Sequence, residues 1–388
     1  MSAVPDSSGV PAVGPGGGDV EVRPARSGDA MRAFVRLPWS LYRGDPNWVP
    51  PLLSDVRKAF DPDRHPFHRH SDVQPFLAVR GGRPVGRICA VHNRRHVDFH
   101  EEPVGFFGYF ESRRDPAVAS ALFEAAGRWL ADRGLETMRG PANFSSNEEW
   151  GMLVEGFDSP PSILMPYNPP FYPELLEEYG FEEAKTLVAY WLDDPDPPDR
   201  LVRASRIVKD RYGVEVRPVR MDDFEEEVER IRRLYNVAWE RNWGFVPMTD
   251  AEFDFMAEEL KPVVEPELIK MAEGPDGELI GFTVAVPDFN RAIRHANGRL
   301  FPFGLLRILW HARKIGRMRV LTLGIHPEWR RRGVDALLYL ELFRGGRGLG
   351  ITEGEFSWML EDNEEIRRPM ERMGAEVYKR YRLYDVSL

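Results

Sequence analysis

The chain has 388 residues, 43% of them hydrophobic, and a formal net charge of −10. That length exceeds one typical domain, and the acidic balance excludes a general nucleic-acid binder, which needs a broad basic surface. A single cysteine, Cys89, excludes an intramolecular disulfide and points to a reducing, cytoplasmic compartment.

In chain order, residues 1–19 are rich in Gly, Pro, Ser and Ala, with neither a basic start nor an apolar core, and are expected to form a disordered tail. Val20-Glu21-Val22-Arg23-Pro24-Ala25-Arg26 opens on a strand, followed by polar-apolar helices and a hairpin of alternating apolar residues, 76–80 with 85–91. A strand at 105–111 leads to a helix at 116–132 that starts on proline and ends on Arg133-Gly134-Leu135. Another strand and a last helix before Gly180 follow. Asp193-Asp194-Pro195-Asp196-Pro197-Pro198 cannot continue a strand or helix, and 201–212 reads as a connecting helix, so 196–213 is taken as linker.

From residue 214 the order begins again. Val214-Glu215-Val216-Arg217-Pro218-Val219-Arg220 repeats the first motif at an offset of 194, half of 388. Asn47-Trp48-Val49-Pro50, Gly82-Arg83-Pro84-Val85-Gly86, Arg133-Gly134-Leu135 and Tyr179-Gly180-Phe181-Glu182 find ordered counterparts beginning at Asn242, Gly277, Arg347 and Met373. The offset widens to 214 at the Arg-Gly-Leu pair, so each half carries an insertion of about 20 residues in a different place, 143–163 in the first and 288–319 in the second. The expected fold is α/β (α+β): two tandem domains, 20–195 and 214–388, each a central mixed sheet flanked by helices. The most apolar stretch, 300–310, is interrupted by Arg307 and falls short of the roughly 20 residues of a membrane-spanning helix, so no stable membrane insertion is expected.

The most specific local signal is Leu321-Thr322-Leu323-Gly324-Ile325-His326-Pro327-Glu328-Trp329-Arg330-Arg331-Arg332-Gly333-Val334-Asp335-Ala336-Leu337-Leu338, a strand running into an Arg/Gly turn and then a helix. A helix N-terminus presents unpaired N–H groups and partial positive charge, and a glycine there lets backbone approach a phosphate. The segment resembles the pyrophosphate loop of the GNAT acyltransferase superfamily: Arg or Gln, two residues, Gly, one residue, Gly or Ala. Arg330, Gly333 and Asp335 fall on those positions. That resemblance covers roughly the second half, and in the first half the runs 140–151 and 165–172 resemble those of bacterial two-domain, tandem GNAT-like proteins of unassigned substrate.

The resemblance implies acetyl-CoA as co-substrate and no metal. The backbone of Leu323 and Ile325 would hold the pantetheine arm; Arg330, Arg331, Arg332, Gly333, Val334 and Asp335 would face the diphosphate; Asn363 takes the place of the family's downstream asparagine. Two departures stand out. Asp335 repels a diphosphate unless it turns away to cap the helix, and Met370 occupies the place of the family's general-acid tyrosine, leaving Tyr378 or Tyr381 as nearby hydroxyls. Attack of an amine on a thioester needs a proton acceptor, and Glu353, Glu355 and Glu361 lie on or beside the strand flanking the cofactor. Glu361, nearest the splay, Glu355 and Tyr378 are the catalytic candidates; solvated surface charge is the plainer reading of each glutamate.

The first half has Ser112-Arg113-Arg114-Asp115-Pro116 where the loop should be, without a glycine, so it is expected to be degenerate and not to bind acyl-CoA. Its polar-aromatic loops nominate Asn143, Asn147, Glu148, Tyr167 and Asn168 for substrate binding, with turn chemistry closing the interface between halves as the alternative. His92, His96 and His100 share an i, i+4, i+8 spacing without an accompanying cysteine, and metal binding is not expected. The stretch 291–319 carries eight Arg or Lys and no Asp or Glu around an apolar centre. A lid, a membrane-surface patch and packing against the other half are all compatible with it, and packing is the expectation. The reading is an acyl-CoA-dependent N-acyltransferase acting on a small-molecule or peptide amine. A catalytically inactive GNAT-like ligand-binding or scaffold protein, and an aminoacyl transferase of the peptidoglycan-bridge type, are the alternatives. Neither the acceptor nor the oligomeric state can be read from these residues.

Overall fold

The computed structural model describes residues 19–26, 28–194, 196–240 and 242–388. The expected disordered tail therefore lies, apart from Asp19, outside the described residues, as does Pro195 of the linker. Among the described residues thirteen strands join one sheet. The first half supplies β1 (Glu21–Pro24), β2 (Ser71–Arg80), β3 (Arg83–Asn93), β4 (Val104–Ser112), β5 (Thr137–Gly140), β6 (Met152–Glu155) and β7 (Glu182–Leu192). The second supplies β8 (Glu215–Pro218), β9 (Ile269–Glu273), β10 (Leu279–Pro287), β11 (Arg317–Ile325), β12 (Glu353–Leu360) and β13 (Glu376–Ser387).

In each half a hairpin is followed by a strand, a crossover helix and a parallel strand. In the first, α1 (Gly28–Arg36) precedes the hairpin, and β4 reaches β5 through α2 (Pro116–Ala131) before α3 (Tyr172–Tyr179). α4 (Asp199–Tyr212) connects the halves. In the second, α5 (Phe224–Trp239) and α6 (Asp250–Leu260) precede the hairpin, α7 (Gly304–Ala312) lies in the insertion, and β11 reaches β12 through α8 (Val334–Gly348), before α9 (Glu364–Met373). α2 starts as its sequence requires: Asp115 accepts from the Ala117 N–H at 3.1 Å, Pro116 occupies the first turn, and Val118, Ala119, Leu122, Phe123, Ala126 and Leu130 form one buried stripe. No helix among the described residues is long and apolar enough to cross a membrane.

The sheet order is β1-β2-β3-β4-β5-β13-β7-β12-β11-β10-β9-β8, with β6 on β13. The halves thus exchange their last strands: β13 pairs antiparallel with β5, β7 pairs antiparallel with β12, and the two exchanged strands pair with each other. The expected division at the linker therefore does not separate two closed sheets. Both exchanged strands leave a helix through a left-handed glycine, Gly180 (φ 111°) and Gly374 (φ 90°), so the two are entered alike and the entry itself does not decide which edge each completes.

The insertions also cross over. Segment 156–163 lies on the second half, whereas Asn297 accepts from the Trp39 indole at 2.9 Å, Gly298 O from the Leu53 N–H at 3.0 Å, and Arg294 donates to Pro46 O at 2.6 Å. Packing against the other half holds for this edge of the second insertion. It does not hold for α7, whose Leu305, Leu306, Leu309 and Trp310 face outward.

Candidate active site between the two halves

β11 stays paired with β10 as far as Gly281↔Ile325, but its parallel pairing with β12 ends at Val320↔Phe356. A bulge at Leu321 marks the parting, since Val284 pairs with Thr322 and Ala285 with Val320. A bulge bends and twists a strand. Residues 322–325, including Leu323 and Ile325, consequently line a wedge whose β11 edge offers free main-chain groups. In the first half β4 and β5 part in the same way after Phe106↔Arg139. That gap is filled by its own chain: Asn143 Oδ1 accepts from the Tyr109 N–H at 2.6 Å, and a Cβ on Gly108 would meet Ala142 O at 1.9 Å. Asn143, nominated for substrate, instead closes the first wedge.

The turn into α8 sits at the open end of the second wedge. Arg331 (φ 60°) and Gly333 (φ 84°) adopt left-handed backbone, and a Cβ on Gly333 would lie 2.9 Å from Val208 of α4. Arg330 donates to Ala238 O at 2.7 Å, Arg331 pairs with Glu365 of α9, and the Arg332 guanidinium lies 4.7 Å over the Trp329 ring, all three side chains being exposed. The pair with Glu365 brings the start of α9, where Asn363 is the N-cap, beside the loop. Burial raises the Asp335 carboxyl, and the nearby Ala336 and Asp335 backbone amides pull it back; it follows Val334 in the first turn of α8, whose N-cap, Gly333, has no side-chain cap bond. In the first half the matching position is closed by Asp115, which caps α2 and pairs with Arg80.

Side chains alternate across β11 and β12. Val320 and Phe356 pack toward Tyr339 and Leu340 of α8, whereas Arg319, Glu355 and Ser357 project from the opposite face, under segment 156–163 of the first half. Glu355 is fully buried. Its Oε2 accepts from Ser162 Oγ at 2.5 Å and from the Tyr378 hydroxyl, and its Oε1 accepts from the Ser357 hydroxyl, with Arg319 Nε 3.8 Å away. Arg319 donates to Ser357 Oγ at 2.8 Å and to Ile163 O at 2.6 Å. Burial, then the Glu355 charge, raises the Tyr378 hydroxyl and keeps it neutral. Around the cluster, burial pushes Lys379 down to about 8, its Nζ donating to Gly156 O at 2.5 Å and Ser159 O at 2.8 Å. Burial and then Glu355 push Asp288 up to about 6, and its carboxylate accepts from the Ile163 N–H at 2.9 Å.

Of the three catalytic candidates, Glu355 and Tyr378 meet in this cluster. Glu361 does not: its partly exposed carboxylate pairs with Arg380 at 3.1 Å, as a surface charge would. Met370 is fully buried in the core. Sequence reasoning missed Ser162, Ser357 and Arg319. Ser162 lies in a Pro-rich segment that reads as loop, and Arg319 was counted only as one of the eight Arg or Lys of the stretch 291–319. Its position one residue from Val320 in a strand facing two packed layers was the available signal.

The first-half loop residues mostly close the structure. Asn168 accepts from the Leu153 N–H at 2.7 Å and donates to Leu153 O and Pro169 O, both at 3.1 Å. The Tyr167 hydroxyl donates to Asp45 at 3.0 Å, and Asn147 Oδ1 accepts from Tyr235 of the second half at 2.9 Å. Glu148 accepts from the Phe144 N–H at 2.7 Å, burial pushes its carboxyl up to about 8, and the His65 ring, pulled down to about 4 by burial, lies 3.6 Å away. His92 sits on β3, apart from the helical pair His96 and His100, and His100 bonds Phe245 O at 2.9 Å. Among the described residues no group of three His, Cys, Asp or Glu is arranged to hold a metal ion.

No protein-family model matches the chain. It is 36% identical over 364 residues to Protein YghO of Escherichia coli, covering 92% of this chain and 93% of that protein. It is 36% identical over 379 residues to the bacterial ceramide synthase of Caulobacter vibrioides, covering 95% and 98%. Among solved structures, a tandem GNAT protein from the clavulanic acid biosynthesis pathway superposes with a TM-score of 0.57 at 14% identity, over 95% of this chain and 98% of that one. A GCN5-related N-acetyltransferase from Sphaerobacter thermophilus superposes with a TM-score of 0.53 at 16% identity, over 95% of each. At such identities the likeness establishes the fold, a tandem GNAT arrangement, as the repeat and the loop motif led one to expect.

Proposed function

The chain belongs to the family that contains YghO of Escherichia coli and the bacterial ceramide synthase of Caulobacter vibrioides, and on that premise we propose that it transfers a fatty acyl group from a coenzyme A thioester to the amino group of a long-chain base. A ceramide is such an amide, so a long acyl chain replaces the acetyl group that the loop motif alone suggested. The observation that carries the reading is the asymmetry of the wedges. The second opens between three exposed arginines and the buried Glu355 cluster, while the first is filled by Asn143.

Residues of this chain supply three functions in this reading. The edge 322–325 offers main-chain groups to an extended thioester arm, and Arg330, Arg331 and Arg332 neutralise its phosphates. As the C–N bond forms and the C–S bond breaks, the amine loses a proton and the departing sulfur gains one. Glu355, reached through Ser357, accepts the first, and the neutral Tyr378 hydroxyl, already bonded to Glu355, supplies the second, so the cluster returns to its starting state by one internal transfer.

The test is incubation of the full chain with a long-chain acyl-CoA and a long-chain amino alcohol, with the product read by mass spectrometry. One N-acyl product per thiol released is expected. Glu355→Gln should lower kcat by about 10²–10⁴ with KM little changed. An intact protein that binds the thioester yet forms no amide would favour the inactive, ligand-binding alternative.

A further inference from the structure

The second insertion carries a surface that acyl transfer does not use. Phe301, Phe303, Leu306, Leu309 and Trp310 are 79%, 62%, 63%, 54% and 56% exposed. Two i, i+4 rows run side by side along α7 and into the turn that follows it, Leu305-Leu309-Arg313 and Leu306-Trp310-Lys314, so an outward apolar stripe ends in two cations. Lys314 Nζ lies 3.9 Å over the Trp310 ring. The inward face is anchored, with Ile308 packed among Ala292 and Ala296, so the patch belongs to a fixed element. A contiguous apolar patch of this kind is rarely left to water in a monomer and marks an interaction surface.

Charge identifies the occupant. Residues 291–316 contain no Asp or Glu in a chain of net charge −10, and among the described residues the exposed Arg299, Arg307, Arg313 and Lys314 have no ion-pair partner. Beside α7 a cavity of about 430 Å³ is lined by Arg36, Arg299 and Arg307 together with Trp39, Phe301 and Phe303. A second copy of the chain docked through the same face would set these cations against their own kind. A bilayer with acidic headgroups answers both halves of the pattern.

We propose that α7 and the Phe301–Phe303 turn dock the protein on an anionic bilayer surface, the apolar side chains entering the headgroup–acyl boundary and the four cations meeting lipid phosphates. This goes beyond the transfer reaction and does not depend on it. The test is sedimentation of the full chain, without substrates, with vesicles of phosphatidylcholine alone or mixed with phosphatidylglycerol. Binding to the mixed vesicles should be at least about tenfold tighter and should weaken with salt. The exposed double variant Leu306→Glu/Trp310→Glu should keep the wild-type Tm and lose at least about tenfold in vesicle affinity, and Arg307→Glu/Lys314→Glu should remove the preference for the mixed vesicles. Absence of binding to either vesicle, equal binding to both, unchanged binding by the variants, or occupation of the patch by self-association in light scattering would each overturn the proposal.

Discussion

Glu148 and His65 face each other with both groups held neutral, and this has a thermodynamic signature. The folded carboxyl of Glu148 titrates at about 8 against an ordinary 4.5, so its contribution to stability is full below 4.5 and is lost as pH rises through 8. His65, lowered to about 4, acts in the opposite sense, but only between 4 and 6.5. Between pH 6.5 and 8 Glu148 therefore acts with His65 already neutral. Unfolding free energy should fall by about 1–2 kcal/mol across that window, and Glu148→Gln should abolish the fall. Denaturant titrations at the two pH values check this, and parallel declines in wild type and variant would count against it. At this scale the sequence was legible where chemistry is local: Glu355 and Tyr378 stood out as a carboxylate and a hydroxyl close to the motif. Ser162 was not legible, because its partner Glu355 lies 193 positions away and arrives only when the halves dock.

The turn before α8 ties the loop motif to the packing of its neighbours. Gly333 needs a left-handed φ of 84°, and a methyl group there would press on Val208 of α4 at 2.9 Å. Gly333→Ala should cost roughly 1–3 kcal/mol of stability and weaken thioester binding by displacing the loop from α4, which calorimetry and denaturation on the same variant would separate. A stable variant with unaltered binding would contradict this account of the turn. The hairpins, the crossover helices and strand β11 were readable from alternation and from their Pro and Gly boundaries. The wedge was not, since a strand keeps the same period of two whether it has one neighbour or two.

Across the whole molecule, the exchange of β7 and β13 and the crossing of both insertions bind the halves into one unit. Residues 19–213 and 214–388 made separately would each present edges that its own last strand does not cover, and each should aggregate, whereas co-expression should return one complex with a single unfolding transition. Recovery of either half as a stable, cooperatively folded monomer would contradict this. The duplication was plain from ordered motif matches, but partner choice was not. Two strands entered through the same helix-glycine motif stand before two edges, and the buried side chains of both halves together decide between them. The same duplication makes the difference between the wedges measurable. Isothermal titration of the full chain with a long-chain acyl-CoA should give one site per chain, lost on Arg330→Ala/Arg332→Ala. Two sites per chain, or one that survives those substitutions, would contradict a single thioester site in the second half.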